Sequence, residues 1–521
     1  MLIKVPSATH FGLESLGVDV EINVANRGLP TFDIVGLPGQ EVDESKERVR
    51  TAIANSNMEF PQKKITVNLA PADVPKEGSF YDLPIALGIL ASMLGFEVPP
   101  ESLFFGELSL DGSLRHTRGT LLLALFAREA GFKKLFVPKD SANEAAIVKG
   151  VEVFPVKDLE QLTLYLLKRE TILPAVYKET APSFDMALAA EFDMAEILGQ
   201  ERAKRAMEIA AAGGHNIIMV GSPGSGKTML ARALPGILPQ LNEEESLEVT
   251  KIHSVTGLLR PGGELVRTRP FRSPHHTVSM IGLTGGGTKP SPGEITLSHR
   301  GVLFLDEFNE FPRQVLEVLR QPVEDGFVSI SRSKERVRYP ARFMLVASSN
   351  PCPCGYLNHA KKACSCTPRE IQKYQKRVSG PILDRFDIHI EVPDVDVREL
   401  SQDAAAAKFL ETSLVIRVRV ARARETQRAR FEKESFDSAQ GRPIHTNAEM
   451  KNSHIKKFCA LAKETEQVLA RAAATFQLSA RAYYKMIKVA RTIADLEGTG
   501  AILPKHVAEA LQYRWKQNIS E

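Results

Sequence analysis

Gly221-Ser222-Pro223-Gly224-Ser225-Gly226-Lys227-Thr228 fits the pattern G-x-x-x-x-G-K-[ST] at each fixed position. The apolar run Ile217-Ile218-Met219-Val220 before it reads as a buried strand, and Met229-Leu230-Ala231-Arg232-Ala233-Leu234 after it reads as a helix. Strand, glycine loop and helix in that order separate a phosphate-binding loop from a chance glycine turn. Such a loop aims several backbone N–H groups inward, and the following helix adds its positive end, so the place suits a polyphosphate. Lys227 can then reach the β- and γ-phosphates, and the Thr228 hydroxyl can ligate magnesium. The expected ligands are ATP and Mg2+, held by Gly221 through Thr228.

Downstream, Val302-Leu303-Phe304-Leu305-Asp306-Glu307 places an acidic pair at the carboxyl end of a buried strand, the edge where doubly wound α/β sheets bind ligands. Asp306 would hold magnesium through water and Glu307 would polarise the attacking water. The plainer alternative is an acidic cap on the next helix. A third strand over residues 343–348 ends at Ser349-Asn350, where a polar side chain can contact the γ-phosphate. Leu383-Asp384-Arg385-Phe386-Asp387 carries an arginine placed to reach a neighbouring subunit's nucleotide, and the helix starting Leu478-Ser479-Ala480-Arg481 offers another from a lid. Alone, each arginine reads as a surface ion pair; their order along the chain favours the nucleotide.

The 521 residues suggest about three domains at ~150 residues each. A net charge of +4 means that any nucleic-acid binding must come from local patches. The first ten residues lack the apolar core of a signal peptide, and no run approaches the length that spans a bilayer, so a cytoplasmic protein without membrane contact is expected. Four of the five cysteines crowd between Cys352 and Cys366, which argues against a secreted disulfide framework.

Residues 1–170 read as an α+β domain. Strands are expected at 18–24, 31–36, 64–69, 135–137 and 151–154, and helices at 41–55 and 83–94, the second capped by Asp82. Pro75-Lys76-Glu77-Gly78-Ser79, Gly106-Glu107-Leu108-Ser109-Leu110-Asp111-Gly112 and Val137-Pro138-Lys139 resemble the C-terminal domain of Lon-type proteases, with its ribosomal-S5-like fold. The Ser–Lys dyad of that family has no match here. Ser79 comes too early for the serine, and the lysine position falls at about Leu121, inside an apolar run. The resemblance therefore implies a non-proteolytic module for subunit contacts or substrate binding.

Residues 171–194 suit a linker, 195–400 an ATPase core, and 401–521 a helical lid. Phosphate loop, acidic strand end, polar strand end and two arginines in this order resemble the AAA+ ATPases. Arg269-Pro270-Phe271-Arg272-Ser273-Pro274-His275-His276, Ser349-Asn350-Pro351-Cys352-Pro353-Cys354-Gly355 and Ser379-Gly380-Pro381-Ile382-Leu383-Asp384-Arg385-Phe386-Asp387 narrow the likeness to the magnesium-chelatase-like branch. With the Lon-like front part, the whole chain resembles the YifB/ComM family. That resemblance implies Lys227 and Thr228 as Walker A, Asp306 and Glu307 as Walker B, Asn350 as sensor 1, Arg385 as arginine finger and Arg481 as sensor 2. It also implies a homo-oligomeric ring, expected to be a hexamer. Such a ring would drive branch migration of recombining DNA during natural transformation, with recombination proteins as further partners. A chelatase- or chaperone-type remodeller of a protein partner is the alternative.

Two insertions fit a DNA motor. Residues 260–300 hold paired and tripled glycines with several basic residues, and 326–340 reads as a hairpin with the basic tip Ser331-Arg332-Ser333-Lys334-Glu335-Arg336. The plainer alternative is that both are solvated loops. The pairs Cys352/Cys354 and Cys364/Cys366, nine residues apart, could enclose a tetrahedral Zn2+, with His359 as a competing ligand; reduced thiols holding nothing are the alternative. Cys459 reads as core. His275 and His276 read as polar loop contacts near nucleotide or DNA. Residues 414–431 form a helix rich in arginine, either an interdomain helix or a DNA contact.

Overall fold

The computed structural model describes residues 2–25, 27–74, 76, 78–178, 190–259, 262–287, 290–331, 336–357, 359, 361–394, 410–432 and 444–514. Two compact units result: Met1–Pro182 with Glu243–Val266, and Ser183–Asn242 with Arg267–Glu521.

In the first unit, β1 (Leu2–Phe11), β2 (Glu14–Ala25), β3 (Thr31–Val35) and β4 (Lys64–Ala70) form a sheet in the order β1-β2-β4-β3. Only the β3–β4 pair is parallel. Along β2 the buried residues are Val18, Val20, Ile22 and Val24, the two-residue period that an apolar face requires. Helix α1 (Ser45–Asn55) precedes β4, and α2 (Asp82–Leu94) packs on β1 and β2, buried from Asp82 to Ala91. Asp82 does not cap this helix. It lies inside the first turn with its carboxylate fully buried, accepting from Arg48 at 2.7 and 3.1 Å and from the Leu108 N–H at 3.2 Å. A buried carboxylate requires a cation and several donors, and that need outweighs capping.

A second, parallel sheet holds β5 (Ser102–Phe104), β6 (Lys134–Pro138) and β7 (Glu152–Val156), with helix α3 (Thr120–Glu129) between β5 and β6 and α4 (Leu159–Leu166) after β7. Leu121 is fully buried in α3. The Ser79 hydroxyl is hydrogen-bonded to the Glu107 carboxylate, and the buried Lys76 ammonium donates to the Pro71 carbonyl. Neither side chain is bonded to the other.

The helix Glu243–Thr256 lies in the first unit, although its place in the chain suggests the ATPase core. It buries Val249 and Ile252 and packs on α3. Its Ser254 carbonyl accepts from Gly119 N–H at 3.2 Å, and its Ser254 hydroxyl donates to buried Glu144 at 2.5 Å. The span 195–400 is therefore not one contiguous body.

The second unit is built on a five-stranded parallel sheet. Helix α5 (Glu201–Gly213) leads into β8 (Ile217–Val220) and α6 (Lys227–Ile237). The remaining strands are β9 (Phe271–Arg272), β10 (Val302–Leu305), then, beyond the antiparallel hairpin β11 (Phe327–Ser331) and β12 (Arg336–Pro340), β13 (Met344–Ser349) and β14 (Ile388–Glu391). The sheet order is β9-β10-β13-β8-β14. This is the α/β, parallel-sheet architecture expected of a P-loop, AAA+-like domain. The basic tip expected at 331–336 lies largely outside the described residues; Arg336 and Arg338 on β12 are exposed, with Arg338 4.1 Å from the Phe327 ring centroid. In the 260–300 stretch, Arg269 bonds to the Pro239 and Arg300 carbonyls, and Arg272 grips Glu294 with two bonds of 2.6 and 2.7 Å. Those two cations are committed to the protein itself.

Helices α7 (Ser413–Glu432), α8 (Lys463–Thr475), α9 (Ala480–Leu496) and α10 (Pro504–Gln512) complete this unit. Four of the six arginines of α7 bond to other parts of the unit. Arg417 bonds the Gly236 carbonyl, Arg424 that of Ala211, Arg419 pairs with Glu208 and Glu411, and Arg430 with fully buried Asp495. Cys459 is buried, as a core residue should be.

Two buried imidazoles make this unit acid-sensitive. Burial pushes His215 and His389 below the usual imidazole range, His389 to about 4. Folded chains keep them neutral while unfolded chains protonate them near pH ~6.5, so stability is full above that value and falls as pH drops below it; for His389 the fall continues to about pH 4, by up to about 1.4 kcal/mol per pH unit. Burial alone would raise Asp387, but Lys485 and His215 outweigh it and hold the carboxyl low, so its share is lost only at pH values below that window. Urea midpoints should fall between pH 7 and pH 5, and His389→Gln should flatten that dependence.

Candidate nucleotide site

Strands β10, β13 and β8 are neighbours, paired in parallel register as Leu305 with Ala347 and Val220 with Ser349. The residues that follow each strand, Asp306-Glu307, Asn350 and Gly221, therefore leave one edge of the sheet together. The Gly221 N–H donates to the Ser349 carbonyl at 3.2 Å. Gly224 and Gly226 have φ of 84° and 91°, a region closed to side chains at low cost, and Gly226 caps α6.

Lys227, 8% exposed, donates to the Gly221 carbonyl at 2.8 Å, to the Ser222 carbonyl at 2.7 Å and to Asn350 Oδ1 at 3.3 Å. Burial lowers its pKa, opposed by Asp306 and Asp394. The Thr228 hydroxyl donates to Asp306 Oδ2 at 2.9 Å; Ser348 and the Glu307 N–H hold the other Asp306 oxygen. A hydroxyl and a carboxylate side by side are the hard oxygen donors that Mg2+ accepts. Glu307 adopts φ 52°, unusual for a residue with a side chain, and its half-exposed carboxylate lies 3.3 Å from His276 Nδ1.

Lys227, Thr228, Asp306, Glu307 and Asn350 are thus brought together. Arg385 and Arg481 are not part of that group. Both guanidinium groups pair with Glu324, Arg385 at 2.7 Å with only 9% of its side chain exposed. Two further residues join the loop's surroundings: Asp394, which no local sequence signal marks and whose carboxylate is bonded to the Ser222 hydroxyl, and His359, expected only as a competing ligand of the cysteines, 2.5 Å from Asp394. His276 is legible in the sequence only as a polar loop residue; its pairing with Glu307 is not.

The sulfurs of Cys352, Cys354, Cys364 and Cys366 lie within 4.8 Å of one another, with separations of 3.4, 3.5 and 3.7 Å among the first three. All are free thiols. A tetrahedral ion with ~2.3 Å bonds to sulfur needs edges of ~3.8 Å, so the cluster could hold a metal. His359 is not a fourth-ligand competitor: its Nδ1 accepts from the Lys361 and Lys362 N–H groups and its Nε2 faces Asp394.

The family of magnesium chelatase subunit ChlI matches residues 193–400, with related ChlI families matching 20–141 and 410–514. The competence protein ComM of Haemophilus influenzae is 42% identical over 521 residues, 98% of this chain and 97% of that protein. The YifB protein of Escherichia coli K12 is 40% identical over 507 residues, 96% of this chain and 95% of that protein. A magnesium-chelatase 38 kDa subunit of Cereibacter sphaeroides is 29% identical over 177 residues, 31% of this chain and 53% of that protein. No helix among the described residues is long and apolar enough to cross a membrane. With relatives matched nearly end to end and the phosphate loop and acidic strand end assembled on a parallel sheet, the chain belongs to the YifB/ComM family of magnesium-chelatase-like AAA+ proteins.

Proposed function

We propose that this chain is a cytoplasmic, ATP-driven DNA translocase that works as a hexameric ring and promotes branch migration of recombination intermediates, as in natural transformation. The observation that carries the ATPase part is the joining of Lys227 to Asn350 and of Thr228 to Asp306 at one sheet edge. Lys227 would exchange the loop carbonyls for β- and γ-phosphate oxygens, and Asn350 and Glu307 would orient the attacking water. Mg2+ between Thr228 and Asp306 would neutralise phosphate charge. Arg481 would reach the nucleotide from the helical lid, and Arg385 that of a neighbouring subunit. The Lon-like front unit would serve contacts rather than proteolysis, and Zn2+ is the metal that four thiolates favour. The DNA part rests on the name of the Haemophilus influenzae relative and on the exposed Arg336 and Arg338 of the hairpin.

A second reading, an ATP-driven remodeller of a protein partner, is favoured by the ChlI matches over all three regions. Three- and four-way DNA junctions decide between them. ATP-dependent strand exchange by the wild type and none by Lys227→Ala is expected. ATP hydrolysis that DNA does not stimulate at low salt, with no junction movement, would favour the remodeller.

A further inference from the structure

The segment that carries Cys352 and Cys354 packs against the phosphate loop through its next residue, Gly355. Gly355, directly after Cys354, has φ 83°, and a Cβ there would lie 2.5 Å from Pro223 Cδ, so the cysteine-bearing segment packs closely against Pro223 of the phosphate loop. On the far side of the same segment, His359 Nδ1 accepts from two backbone N–H groups, at 2.9 and 3.0 Å. Its proton therefore sits on Nε2, which donates to Asp394 at 2.5 Å. Asp394 in turn is bonded to the Ser222 hydroxyl of the phosphate loop. At the root of the segment, Asn350 receives the Lys227 ammonium. Two direct contacts and one relay through Asp394 thus join residues 350–359 to residues 222–227, and the four sulfurs gather Cys352 and Cys354 with Cys364 and Cys366.

We propose that a metal ion held by Cys352, Cys354, Cys364 and Cys366 is a structural clamp on the phosphate loop, with His359 and Asp394 as positioning residues for ATP hydrolysis. The inference rests on the ATPase reading above for its kinetic consequence, though not for the metal itself. Tying Cys352 and Cys354 to Cys364 and Cys366 fixes both ends of the nine residues between them. Gly355 then meets Pro223 and His359 meets Asp394, which holds Ser222, while Asn350 stands beside Lys227. Without the metal the chain between the pairs is free to move, and both supports of the loop move with it. Metal loss or thiol oxidation would then lower turnover without removing any group that touches nucleotide.

The test uses the full chain. Elemental analysis of wild type should give one zinc per chain, and Co2+ exchange should give the charge-transfer absorption of a four-thiolate site. Cys364→Ser/Cys366→Ser should lose the metal. Because that variant could also lose its fold, His359→Gln and Asp394→Asn are measured beside it. Both should keep the zinc and lower kcat roughly 5- to 50-fold, the size of a lost outer-shell orienting contact. The KM for ATP should change less than kcat. Folded wild type without metal overturns the clamp. So does unchanged kcat in both zinc-loaded variants while wild type hydrolyses ATP. Wild type that binds zinc yet never hydrolyses ATP overturns the ATPase reading instead, and the two failures are told apart by the metal content.

Discussion

Glu307→Gln is expected to slow ATP turnover by ~10²- to 10⁴-fold, the range a positioned general base supplies, while nucleotide affinity stays within about a factor of three. The split follows from the geometry. Affinity resides in the loop N–H groups, Lys227, Thr228 and Asp306, none of which the substitution touches. Glu307 stands one residue beyond Asp306 in a left-handed backbone conformation, φ 52°, which swings its carboxylate away from the Asp306 cluster. Strain of that kind costs ~1–3 kcal/mol and persists where the surroundings enforce it. The carboxylate meets His276 at 3.3 Å, and His276 is itself packed at a tilt against His275 and set edge-on to Phe311. Gln keeps the shape and the backbone and removes only the basic oxygen. Single-turnover hydrolysis and binding of a fluorescent ATP analogue, measured side by side, check the split. A parallel loss of affinity would mean that Glu307 holds the nucleotide, and turnover near wild type would move the base elsewhere.

The parts of this site that could be read from the chain are those written in local pattern. An apolar run ending in Asp306-Glu307 announces its own strand and its own edge, because burial on both faces of a parallel sheet demands four apolar residues in a row. The hairpin at 327–340 is likewise local. The partners of these residues are not local. Asp394 meets Ser222 across 172 residues, and Glu324 meets Arg481 across 157. No periodicity encodes such pairs. The helix Glu243–Thr256 carries ordinary helical signals, but nothing in them tells which core its buried face will join, and the structure joins it to α3. Strand β1 has no counterpart among the expected strands; its Pro6 is tolerated because β1 is the edge of its sheet, where an outward-facing missing N–H costs no ladder bond. Asp82 shows the limit of cap rules: placed beside Arg48, a carboxylate is worth more as a buried counter-ion than as a helix cap.

The arginines bring an effect of comparable size. Arg385→Ala should lower turnover by ~10³-fold in the assembled protein, as removal of an arginine that neutralises transition-state charge does in related phosphoryl transfers. In this chain Arg385 is turned to its own Glu324, with its Nε buried and without a hydrogen-bond partner, while its NH1 bonds the Pro381 carbonyl. Burial and the nearby Arg320 both disfavour its charge. An arginine so held is not satisfied where it stands, and a phosphate would complete its hydrogen bonds. Whether that phosphate belongs to its own chain or to a neighbour is decided by mixing two inactive variants. Lys227→Ala retains Arg385, and Arg385→Ala retains the phosphate loop. If Arg385 acts across an interface, mixed rings contain junctions where an intact loop faces an intact arginine, and turnover reappears on mixing. If it acts within its own chain, no mixture contains a complete site and turnover stays absent. Glu324→Gln should separate the arginine's two partners: with the carboxylate gone, release of Arg385 costs less, and turnover near the dilution at which rings dissociate should rise. Recovery on mixing together with that rise makes the phosphate loop half of a shared site whose other half is held in reserve by Glu324.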